Sequence, residues 1–164
     1  MDRGDLVPDE VMIGIVEKRL AAADCQNGFL LDGFPRTVPQ MQALERILEE
    51  RGQTIDGAVS IEVPRDELVH RLSGRRTCRE CGKMYHTEFE PPTRTGICDR
   101  CGGELYQRVD DSADTINARL DVYERQTAPT YDYFRRKRSL HAVDGTGEAE
   151  AVYARILEQL RPAA

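Results

Sequence analysis

Tryptophan is absent from this chain, and phenylalanine and tyrosine together make up only 6% of its 164 residues. Proteins that grip single-stranded nucleic acid usually offer rows of aromatic rings, so that class is disfavoured. Basic residues are in deficit as well. The 23 Lys and Arg against 29 Asp and Glu leave a net charge of −6, the reverse of a general nucleic-acid binder. No apolar run approaches the roughly 18 residues of a membrane-spanning helix. The opening Met1-Asp2-Arg3-Gly4-Asp5 lacks the basic-then-apolar layout of a secretion signal. A soluble, cytoplasmic protein with neither nucleic acid nor membrane among its partners is expected. No internal repeat is present.

What the chain does contain is an alternation of helical and strand-like segments, the pattern of an α/β fold. Pro8 followed by Asp9 and Glu10 marks a helix start. Met12, Ile15, Val16 and Leu20 then recur at helical spacing. Phe29-Leu30-Leu31 reads as a short buried strand ending at Asp32-Gly33. Met41, Leu44 and Leu48 mark a second helix closed by Gly52. Residues 58–63 read as a strand with three β-branched positions, and 66–72 as a helix stopped by Gly74. Beyond residues 77–106, a helical stripe restarts at Ile116, Leu120 and Tyr123 and runs to about Arg138. A strand at 140–143 and a helix at 148–160 complete the chain.

Residues 77–106 are rich in Cys, Gly, Pro and Thr and leave little room for a hydrophobic core, so they need a staple. Cys78-x2-Cys81 and Cys98-x2-Cys101 supply one. Two such knuckles have the spacing of a four-cysteine zinc ribbon. Gly82 and Gly102 follow them and let each turn fold back on the ion. Four thiolates leave no open coordination position, so the Zn²⁺ is expected to be structural. Cys25 stands apart and reads as a small buried hydrophobe.

A second signal is Asp32-Gly33-Phe34-Pro35-Arg36 with Gln40 following. An acid at the C-terminal end of a strand lies where open α/β sheets bind ligands, and Asp32 there could hold a Mg²⁺-bound water. Arg36 offers a fork to phosphate. Gln40, four residues on, would share its helix face and could read a base edge. An ordinary strand–turn–helix would carry the same residues. A third signal is arginine flanking the insert: Arg71, Arg75, Arg76 and Arg79 before or within its first knuckle, Arg108 and Arg119 after its second. They could clamp phosphates, although for any one of them a surface ion pair would also serve. The basic run 135–138 reads as a solvated helix end.

Taken together these pieces resemble adenylate kinase in its bacterial form with a long, zinc-bearing lid. The resemblance runs from Gly4-Asp5-Leu6-Val7-Pro8-Asp9-Glu10 to Val143-Asp144-Gly145. It includes the hinge Gly74-Arg75-Arg76, Tyr85-His86, and Tyr106-Gln107-Arg108-Val109-Asp110-Asp111. It implies a parallel sheet flanked by helices of the P-loop nucleoside monophosphate kinase type. The expected division is an incomplete core at 1–74, a zinc-binding lid at 75–111 and the rest of the core at 112–164. It also implies transfer of the γ-phosphoryl group of ATP to AMP with Mg²⁺. Asp5, Leu6, Val7, Gly33, Phe34, Pro35, Arg36 and Gln40 would then contact AMP. Arg71, Arg75, Met84, Tyr85 and Gly147 would contact ATP, and Arg108 and Arg119 would clamp the phosphates of both. Arg36, Arg75, Arg108, Arg119 and Asp32 would carry the catalytic work of positioning and charge neutralisation.

The family's Gly-rich phosphate loop has no counterpart. The one Gly-Lys pair, Gly82-Lys83, lies inside a knuckle. The expectation is that on the order of 30 residues or more are missing, and that the chain alone turns over little substrate. The full-length protein would be a monomer, whereas this chain would have a marginal body prone to self-association. Two other functions fit parts of the pattern: a kinase for another nucleoside monophosphate, and a non-catalytic zinc ribbon binding nucleic acid or a partner protein.

Overall fold

The computed structural model describes residues 6–161, which divide into two compact units: Leu6–Val63 with the chain from Val122 onward, and Pro64–Asp121. Among the described residues no helix is long and apolar enough to cross a membrane.

In the first unit, Pro8 starts α1 (Asp9–Leu20), with acids in its first turn and Lys18 and Arg19 in its last, the arrangement that complements a helix dipole. α2 (Val38–Glu49) begins at Thr37, whose hydroxyl accepts from the Gln40 backbone N–H at 3.2 Å. α2 packs on α1 and on α5 (Ala128–Arg136). Val16, Leu20, Cys25, Phe34, Met41, Leu44, Ile47, Leu48 and Phe134 form one buried cluster. Cys25 belongs to that core, as its reading as a small hydrophobe requires. Glu45 of α2 accepts from the Lys137 ammonium at 2.8 Å and from the Tyr133 hydroxyl. Burial pushes its carboxyl up, but these donors win and hold it below the ordinary value.

β1 (Ala58–Glu62) and β5 (Leu140–Asp144) pair in parallel, with Ala58 opposite Leu140 and Glu62 opposite Asp144. Parallel neighbours cannot be joined by a hairpin, so a long crossover separates them in sequence. α5 and α6 (Ala149–Gln159) pack on β5, giving a parallel sheet flanked by helices.

Two expectations are corrected here. Phe29-Leu30-Leu31 is not a strand. Phe29 and Leu31 lie against the core while Leu30 is 92% exposed, so the segment alternates as extended backbone does. It has no ladder partner among the described residues. The single helical stripe expected from Ile116 to Arg138 is broken. A π-helical turn at Tyr123–Thr127 separates α4 (Ala113–Val122) from α5, and Pro129 lies in the first turn of the new helix.

In the second unit, α3 (Arg65–Ser73) ends at Gly74. β2 (Arg75–Cys78) lies between β3 (Met84–His86) and β4 (Leu105–Tyr106) in an antiparallel sheet. The buried cluster there is Cys78, Tyr85, Cys98 and Leu105, with Cys81 beside it. Two ordinary hydrophobes would be a meagre core without the sulfurs.

Leu44 is 1% exposed at the centre of the first cluster. Leu44→Ala is expected to lower the unfolding free energy by about 2–5 kcal/mol. Val38→Ala, at an exposed position of the same helix, is expected to change it by less than about 0.5 kcal/mol in the same denaturant titration.

Candidate functional site

The two cysteine knuckles repeat one backbone pattern. Gly82 N–H donates to Cys78 C=O at 3.1 Å and Gly102 N–H to Cys98 C=O at 2.8 Å. Both glycines have positive φ, 70° and 75°, which a side chain would disfavour. Each knuckle closes through a cysteine N–H, Cys78 to Lys83 C=O at 2.9 Å and Cys98 to Gly103 C=O at 2.8 Å. The four sulfurs lie within 4.8 Å of one another and none is in a disulfide. The Cys78–Cys101 and Cys81–Cys98 sulfurs are 3.5 and 3.6 Å apart. A tetrahedron with metal–sulfur bonds of about 2.3 Å has edges of about 3.8 Å, so the donor set fits one tetrahedral metal ion.

The thiols divide in acidity. The Tyr85 hydroxyl donates to Cys98, chiefly responsible for lowering that thiol to about 6. The Gly103 N–H favours the Cys101 thiolate, but hydrogen bonding with Cys78 and Cys81 outweighs it and pushes Cys101 up to about 12. Crowded sulfurs cannot all ionise without a cation, and metal binding would release the remaining protons.

Four arginines of this unit expected at nucleotide, Arg71, Arg75, Arg108 and Arg119, are each met by a carboxylate. Arg71 pairs with Glu67 one turn back on α3. Arg75 makes a two-point contact with Asp111, its Nε donating to Oδ2 at 2.9 Å, and Asp111 is 0% exposed. Arg75, expected at ATP, is thereby built into the base of the segment. Arg108 donates from Nε and Nη2 to both oxygens of Asp110 at 2.9 Å, and Arg119 Nη1 reaches the same carboxylate at 3.3 Å. The structure thus brings Arg108 and Arg119 together on one acid.

In the other unit, Gly33 has φ 70°, and a Cβ there would meet the Arg36 guanidinium at 2.8 Å. Arg36 folds back over it, Nε donating to Gly33 C=O at 2.8 Å. Arg36 precedes the helix cap and does not share a helix face with Gln40, a further correction. The two meet through the Arg36 backbone N–H, which donates to Gln40 Oε1 at 2.8 Å. Gln40 is 2% exposed and its Nε2 donates to Asp9 at 2.7 Å. Asp9 also accepts from the Thr37 hydroxyl at 3.0 Å. The residues expected at a monophosphate are therefore held in one hydrogen-bonded turn.

The remaining positions differ. Phe34 is buried in the core and Pro35 half-buried, while Asp32 is exposed. Leu6 and Val7 are half-buried ahead of α1, and Gly147 is exposed with φ 89°. Met84 is exposed. Tyr85, expected to face ATP, is buried, its hydroxyl shared between Cys98 and the Asp99 N–H at 2.8 Å. Asp5 lies outside the described residues.

Sequence reasoning missed Asp9, Asp110 and Asp111 as partners of the expected site residues. Only a structure shows that the first reaches Gln40 across 31 positions. The fit of His86 over Gly74, where a Cβ would meet the imidazole at 2.2 Å, was equally hidden.

Residues 1–139 match the family model described as adenylate kinase. Over 161 residues the chain is 57% identical to an adenylate kinase of Carboxydothermus hydrogenoformans, an alignment covering 98% of this chain and 75% of the relative. It is 52% identical to that of Geotalea daltonii over the same shares of each chain. With the Archaeoglobus fulgidus adenylate kinase it shares 51% over 156 residues, 95% of this chain and 72% of the other.

Removing one sulfur tests the metal centre. Cys98→Ser is expected to cut the bound divalent metal of the purified protein, about one ion per chain for a four-coordinate site, by at least about tenfold. The same change should lower the thermal midpoint by more than about 5 °C, read by elemental analysis and calorimetry.

Proposed function

Since the chain belongs to the adenylate kinase family, we propose that it transfers the γ-phosphoryl group of ATP reversibly to AMP, giving two ADP and so balancing adenine nucleotides in the cytoplasm. The observation that carries this reading is the 57% identity to a protein of that name across 98% of the chain.

Phosphoryl transfer needs alignment and charge neutralisation, not a covalent nucleophile. Arg36, held over Gly33 in the turn before α2, binds the phosphate of AMP as a fork. Gln40 spends one N–H on Asp9 and one lone pair on Arg36, and keeps one of each for the edge of adenine. Leu6, Val7, Gly33, Phe34 and Pro35 border that nucleotide. Arg108 and Arg119 bind phosphate. Arg71, Arg75, Tyr85 with the backbone at Met84, and the backbone near Gly147 serve ATP. Residues 75–111 act as the lid and 1–74 with 112–164 as the core. Cys78, Cys81, Cys98 and Cys101 hold a structural Zn²⁺ that stands in for the core this lid lacks. Mg²⁺ would come with ATP and supply offsetting charge, and the exposed Asp32 carboxylate would hold a water bound to it.

A kinase for UMP or CMP is the neighbouring reading, and binding separates the two. In calorimetric titrations of the chain, AMP is expected to bind at least about tenfold tighter than UMP or CMP. Arg36→Ala is expected to weaken AMP binding by about ten- to a hundredfold, as loss of a charge-assisted contact does. Equal binding of the three monophosphates would overturn the assignment to AMP.

A further inference from the structure

Asp110 and Asp111 are adjacent in sequence and opposite in circumstance. The Asp111 carboxylate is fully buried, and both its oxygens are taken by Arg75. Its backbone carbonyl accepts from the Gln107 amide at 2.9 Å. Nothing short of opening the fold releases it. The Asp110 side chain is 25% exposed, and its partners are exposed further, Arg108 at 48% and Arg119 at 38%. One carboxylate there holds two guanidinium groups that would otherwise repel. It takes Arg108 as a fork at 2.9 Å on each oxygen and Arg119 at 3.3 Å. A fork of this geometry is what a phosphate group also satisfies, with more charge and a third oxygen.

We propose that Asp110 is an internal stand-in for phosphate. It occupies the seat between Arg108 and Arg119 in the nucleotide-free chain and gives it up when a polyphosphate arrives. The inference rests on the reading of Arg108 and Arg119 as phosphate ligands. With Asp110 in place the three side chains sum to one positive charge, and the two arginines stay convergent rather than splayed. The incoming anion must displace a carboxylate, so Asp110 sets the affinity for polyphosphate and keeps it below what two free guanidiniums would give. Asp111, by burial, takes no part in this exchange.

The test is calorimetric titration of the full chain with inorganic tripolyphosphate at low ionic strength. Asp110→Asn removes the competing charge and is expected to tighten binding about three- to tenfold, with a steeper loss of affinity on adding salt. A purely structural role for Asp110 would predict the opposite. Binding unchanged or weakened in Asp110→Asn overturns the proposal. Arg108→Ala and Arg119→Ala test the underlying reading separately. Wild-type affinity in both refutes the phosphate role of these arginines whatever Asp110 does, and no binding by any form refutes both. If Asp110→Asn does not fold, the wild-type chain decides through its arginine side-chain Nε–Hε resonances. Tripolyphosphate is expected to shift that of Arg108 and leave in place that of Arg19, which pairs with Asp24 in the other unit. A bound state with the Arg108 resonance unmoved overturns the proposal.

Discussion

Four sulfur atoms within 4.8 Å of one another are the constraint on which the Pro64–Asp121 unit depends. Its sheet has three short strands, the longest of four residues, and half of its buried cluster, Cys78 and Cys98, is cysteine. So little apolar area cannot offset the entropy of ordering the chain between the hinges. A metal ion held by four thiolates can, because its binding energy becomes folding energy. The cluster also organises what surrounds it. β2 carries Cys78 at one end and Arg75 at the other, and β3 carries Tyr85, whose hydroxyl reaches Cys98. The segment that places Arg75 beside Asp111 is thus the same segment that the sulfurs hold rigid.

Charge in this unit is handled by two devices that burial tells apart. A carboxylate taken fully out of water is stable only when every oxygen is satisfied, and breaking such a pair leaves an uncompensated buried charge. Asp111 with Arg75 meets that condition and behaves as architecture. The same two residue types at the surface are worth far less, since water and salt compete for them. Asp110 with Arg108 and Arg119 is of that second kind, cheap to open and ready to exchange one anion for another. Identical chemistry one residue apart therefore serves permanence in one case and reversibility in the other.

Much of this was legible in the chain itself. Proline, acid and periodic apolar positions announce α1 and α2, and the β-branched run announces β1, because these patterns are local. The metal centre was the most legible feature, since knuckle spacing and trailing glycines are local too. The misread elements were those settled by partners distant in sequence. Phe29-Leu30-Leu31 has strand composition, but a strand exists only where a neighbour accepts its ladder. The break at Tyr123–Thr127 is a π turn in a stretch that stays helical on both sides, and apolar spacing alone does not register one. Gln40 was read as sharing a helix face with Arg36. Its burial comes from Asp9, 31 residues earlier, and no spacing rule connects the two.

The Gln40 arrangement shows why the turn before α2 has the residues it has. Arg36 must lie back over the chain for its Nε to meet Gly33 C=O, and only a residue without Cβ leaves it room at φ 70°. The Thr37 hydroxyl takes the Gln40 N–H while donating to Asp9, and Gln40 in turn holds the Arg36 backbone N–H. The loop is closed by side chains whose rotamers are fixed on folding, not on binding. A guanidinium delivered by such a turn loses little further freedom when it meets a phosphate, so more of the interaction appears as affinity. Gly33, Arg36, Thr37, Gln40 and Asp9 act as one unit for this reason. Loss of Asp9, which touches no proposed ligand, would loosen the fork as surely as a change beside it.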